Sequence, residues 1–71
     1  MPNQHIFSGT VSGMTCAHCV ASVTEELHEI PGVESVVVDL ASGSLSVTSD
    51  RPLDDAVVRT AVEEAGYQLL G

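Results

Sequence analysis

The chain has 71 residues, enough for one small domain, and 44% of them are hydrophobic, mostly valine, alanine and leucine. Ten acidic residues face two basic ones, Arg51 and Arg59, so the formal charge is −8, a surface that repels nucleic acid and anionic membrane faces. The longest apolar runs, such as residues 36–38, are far too short to span a bilayer, which excludes direct membrane insertion.

The first ten residues, MPNQHIFSGT, carry neither a basic n-region nor an apolar h-region, so a cytoplasmic location is expected. Residues 5–12, HIFSGTVS, then alternate. Phe7, Gly9 and Val11 fall on one side and Ser8, Thr10 and Ser12 on the other, a period of two that predicts a strand. Beyond the segment GMTCAHC at 13–19, Val20, Val23, Leu27 and Ile30 recur at spacings of three and four. Glu25, Glu26 and Glu29 lie elsewhere around the same wheel, so the stretch reads as an amphipathic helix, stopped by Pro31 and Gly32.

Residues 33–40, VESVVVDL, place Val36, Val38 and Leu40 on one face. A glycine-containing turn, ASGS, leads into LSVTS, where Leu45 and Val47 alternate again, and the two runs make a hairpin. A second helix is predicted from about Asp54, with acids in its first turn and an apolar stripe of Val57, Val58, Ala61, Val62 and Ala65. Gly66 suits the position just past its end, and YQLL at 67–70 closes the chain as a short strand. Residues 1–71 thus form a single β-α-β-β-α-β domain. Its most economical closure is an α+β, ferredoxin-like sandwich, a four-stranded antiparallel sheet with both helices on one face.

In that layout Cys16 sits in the loop after the first strand and Cys19 in the first turn of the first helix. Unpaired N–H groups and the positive end of the helix dipole favour thiolate there, the form that binds metal. Two thiols two residues apart serve three chemistries. A closed zinc site wants four ligands, and neither His5 nor His28 lies where it can easily join the sulfurs. A thiol-disulfide redox pair normally belongs to a larger α/β sheet. An open two-thiolate site suits a soft ion such as Cu(I).

The segments GMTCAHC, IPGVESVVVDL and AVEEAGY resemble the heavy-metal-associated domain family, over nearly the whole chain from about His5 to Leu70. That family holds copper chaperones and the N-terminal domains of copper-exporting P-type ATPases. The resemblance implies the same ferredoxin-like fold and Cu(I) held by Cys16 and Cys19. It implies transfer of that ion to a copper-transporting ATPase by stepwise thiol exchange. The same sulfurs admit Ag(I) and Hg(II), and Zn(II) in vitro. Three further positions match the family as tuners of the site: Met14, expected to pack inward and brace the loop, Tyr67, and His18 between the cysteines. The expected protein is therefore a cytosolic copper chaperone, with no enzymatic role. The start at Met1 and the close after the last strand favour a free-standing molecule over a domain of an ATPase. The small apolar residues around the thiols, Ala17, Val20 and Ala21, suit a copper-bridged homodimer. The acidic surface serves solubility or meets a basic partner.

Overall fold

The computed structural model describes residues 4–70. Along it run β1 (His5–Ser12), α1 (Ala17–His28), β2 (Val33–Val38), β3 (Ser44–Ser49), α2 (Asp55–Glu64) and β4 (Gln68–Leu69). The strands form one antiparallel sheet in the order β2-β3-β1-β4, so each helix crosses over a strand to reach the next but one. This is the ferredoxin-like arrangement. The reading of the molecule as free-standing rests on the ends of the chain, which lie outside the described residues.

Alternation fixes which side of the sheet is wet. Phe7 pairs with Val47 and Gly9 with Leu45 on the inner side, while Ser8 faces Ser46 and Thr10 faces Ser44 on the outer side. Val11, Leu45 and Val47 are thereby buried against Val23 and Leu27 of α1 and Val58, Ala61 and Val62 of α2. Leu27, Val23, Val47, Val58 and Val62 lose all contact with solvent. α1 lies against β2, α2 against β4, and the helices touch each other. The helix ends are built differently. Asp54 caps α2, its carboxylate accepting the Ala56 N–H at 2.9 Å, whereas α1 starts on Cys16 with no side-chain cap.

Three predicted placements are corrected. Val57 was expected in the apolar stripe of the second helix, yet it is 45% exposed. Successive helical residues are about 100° apart, and with Val58 turned fully inward its neighbour falls at the margin of the core. Leu40 was expected to continue the inner face of its strand. Instead β2 stops at Val38, because Asp39 already begins the turn, accepting the Gly43 N–H on its backbone and the Ala41 N–H on its side chain. Leu40 is left 39% exposed in that turn. The last strand is also shorter than YQLL, since Tyr67 precedes it. A bulge between Val33 and Ser35 explains one further point. It shifts the parity of β2, so that Val33 packs on the core together with Val36 and Val38.

These placements predict unequal costs of truncation. Leu27→Ala should lose about 2–5 kcal/mol, since a fully buried side chain leaves a cavity. Val57→Ala should change stability by about 0.5 kcal/mol or less. Urea denaturation of the two variants beside the parent chain measures both; equal losses would contradict the core assignment.

Candidate metal centre

The loop from β1 to α1 is shaped by residues brought from both ends of the chain. Gly13 has φ +94, a left-handed conformation that suits glycine, and a Cβ there would meet Cδ1 of Tyr67 at 3.4 Å. Tyr67 arrives from the end of α2 through a Schellman turn. Gly66, at φ +97, donates to the Glu63 carbonyl, and the Tyr67 N–H donates to the Val62 carbonyl. Arg59 of α2 donates to the Leu69 carbonyl at 2.9 Å, which ties the two-residue β4 to the helix before it. Met14 is half-buried and packs against the core, bracing the loop from inside.

On this frame the two sulfurs stand 3.6 Å apart. Cys16 is exposed and adopts an extended backbone as the N-cap of α1, its carbonyl accepting from the N–H groups of Cys19 and Val20. Cys19 lies in the first turn and is 9% exposed. A metal–sulfur bond of about 2.3 Å from each thiolate reaches a common point between sulfurs so placed. Among the described residues no third His, Cys, Asp or Glu joins them. The donor set is therefore two thiols with one side open to solvent.

The local field favours thiolate. Although the chain carries ten acids, none falls in the first turn of α1, whereas α2 begins with Asp54 and Asp55. The positive end of α1 is thus left to the sulfurs. Hydrogen bonding from the Thr15 backbone, then from the Tyr67 side chain, then from Cys16, brings the Cys19 thiol from 9.0 down to about 6, against the opposing pull of burial. The Thr15 hydroxyl also stands 3.9 Å from the same sulfur. Reciprocally, hydrogen bonding to Cys19 raises the Tyr67 phenol above its usual value.

The structure brings Cys16, Cys19 and Tyr67 together and places Met14 beneath their loop. His18, between the two cysteines, is exposed on the first turn of α1. Thr15 is the participant that sequence reasoning missed as an active one. It reads as a small spacer, and its contact depends on the sharp turn into α1, which no spacing rule reveals.

The molecule so described is a ferredoxin-like domain carrying an open dithiol at a helix N-terminus. The model of the heavy-metal-associated domain matches residues 10–68, and the chain belongs to that family. It is 41% identical over 58 residues to copper-transporting ATPase 1 of Rhizobium meliloti, a match covering 82% of this chain and 7% of the ATPase. It is 36% identical over 61 residues to the copper chaperone CopZ of Staphylococcus aureus, covering 84% of this chain and 90% of the chaperone. A solved CopZ metallochaperone superposes with a TM-score of 0.85 at 33% identity, over 93% of this chain and 100% of that one.

A lowered thiol pKa stabilises the folded chain only where the thiolate exists. The contribution is complete above 9.0 and lost as pH falls through about 6. Tyr67→Phe removes the second of the interactions holding the thiolate. The Cys19 titration, followed by thiolate ultraviolet absorbance in a Cys16→Ser background, should then move upward by roughly one unit or less. An unchanged midpoint would remove Tyr67 from the site.

Proposed function

We propose that the chain is a cytoplasmic copper carrier. Cys16 and Cys19 bind one Cu(I) as thiolates and pass it to the metal-binding domain of a copper-exporting P-type ATPase. The observation that carries this reading is the pair of sulfurs 3.6 Å apart at the acid-free start of α1, with no third ligand beside them among the described residues. Soft thiolates select soft ions, and two of them leave a four-coordinate zinc ion short of ligands. An ion held by only two sulfurs keeps room for an incoming thiolate. A partner thiolate bonds to it before Cys16, the exposed member, lets go as thiolate; a second partner thiolate then displaces Cys19 in the same way. Transfer thus proceeds without free copper and without any change of oxidation state.

The named functions of the copper chaperone and of the copper-transporting ATPase support this choice of metal and partner. None of the described helices is long and apolar enough to cross a membrane. A second reading, a metal-binding domain within an ATPase, draws on the 41% identity to a protein of which the chain spans 7%. Immunoblotting of the native protein separates the two: a species of this chain's own mass supports the carrier, and one many times larger supports the domain.

Cu(I) titration of the reduced protein against a competing chelator, run beside Zn(II), tests the metal. Cys16→Ala and Cys19→Ala should each lose tight Cu(I) binding while keeping native circular dichroism, because the sequence holds no third thiol and the core cluster includes neither cysteine. His18→Ser should keep one-to-one binding. Retained affinity in either cysteine variant overturns the site, and so does a pair that cycles as a disulfide reductase without metal.

The open side of the ion also leaves room for a second copy, so copper-bridged dimers should form when copper is limiting and protein concentrated. Sedimentation across copper ratios measures this. A strictly monomeric species throughout would contradict it.

A further inference from the structure

At the end of the helical layer away from the thiols, the close of α1 and the start of α2 line an open groove of about 450 Å³. That volume falls within the ~300–1,000 Å³ of ligand-binding clefts. Ile30, Pro31, Val57 and Ala61 line it together with two acids, Glu26 and Glu29. No lysine, arginine or histidine is among its lining residues. Val57 is the residue that helical periodicity assigns to the core, and here it stands 45% exposed, with the groove before it. The acids sit on the last turn of α1 and just past it, where the helix presents the negative end of its dipole. Apolar lining, negative rim and negative helix end thus coincide.

We propose that this groove docks a segment of a partner protein that presents an aliphatic side chain flanked by lysine or arginine. The aliphatic group covers Val57 and Ile30, and the flanking cations meet Glu26 and Glu29. A second copy of this chain is a poor occupant. It brings a further charge of −8, and both its arginines are engaged, Arg51 with Asp50 at 2.9 Å and Arg59 with the Leu69 carbonyl at 2.9 Å. Glu26 lies seven residues beyond Cys19 on α1, about 10 Å along the axis. A segment seated there leaves the sulfurs uncovered, so docking and thiol exchange use separate surfaces. The proposal stands apart from the identity of the metal.

The test is a nuclear magnetic resonance titration of the reduced, metal-free chain. The probe is the peptide acetyl-Lys-Leu-Val-Lys-Leu-Lys-amide, and the control carries Ser-Thr and Ser in place of the aliphatic residues. Saturable shifts at Ile30, Val57 and Ala61, with residues 13–19 unmoved, are expected from the first peptide and not from the control. Glu26→Lys combined with Glu29→Lys should weaken binding about tenfold, the loss of two exposed charge pairs. Val57→Ser, a change at an exposed helical position, should weaken it several-fold with the fold intact. Absence of saturable shifts, equal shifts from the control, or shifts centred on residues 13–19 would overturn the proposal. Concentration-dependent pairing of the free chain through this groove would overturn it as well.

Discussion

The first turn of α1 leaves N–H groups that no carbonyl inside the helix can accept, and most helices answer with an oxygen from Ser, Thr, Asp or Asn. Here the capping position belongs to Cys16, whose side chain makes no cap bond, and the first turn contains no acid. The unanswered positive end therefore falls on the two sulfurs. Every other part of the site acts on that unfinished terminus. The Thr15 backbone and the Tyr67 side chain steady the Cys19 thiolate, and Gly13 gives the Tyr67 ring its approach. In the same fold α2 shows the ordinary solution, with Asp54 bonded to the Ala56 N–H.

Rigid support comes from below. Val23 and Leu27, one and two turns along α1 from Cys19, are fully buried, and they fix the helix that presents the thiols. Val11, at the end of β1, is 3% exposed and anchors the other side of the loop. On this packed frame the sulfurs stand 3.6 Å apart. A carrier benefits from that arrangement, because the cost of ordering the ligands falls on folding and does not recur at each transfer.

Much of this was legible in the sequence because it depends on short-range rules. The spacing of Val20, Val23 and Leu27 predicted α1, the alternation of Phe7, Gly9 and Val11 predicted β1, and Gly66 marked the end of α2. The thiol pair and its place at a helix start followed from the same pattern. What escaped depends on residues distant in sequence or on small angular offsets. Val57 differs from Val58 by one step around the helix, and only the curvature of the core decides which is covered. The shift in parity at Val33 comes from a bulge that no alternation reveals. Tyr67 could be matched by resemblance, but its interaction with a sulfur 48 residues away is set by the sheet order.

β4 has two residues, and the turn that delivers Tyr67 lies just before it. Cys16 and Cys19 precede that turn by some fifty residues in the sequence. Until β4 pairs with β1, the phenol is not held at the sulfur. A chain in which Tyr67 is displaced therefore exposes a Cys19 thiol closer to the ordinary, protonated kind, a poorer ligand and slower to oxidise. Thiolate character at Cys19 therefore depends on the turn and the short strand that hold Tyr67 in place.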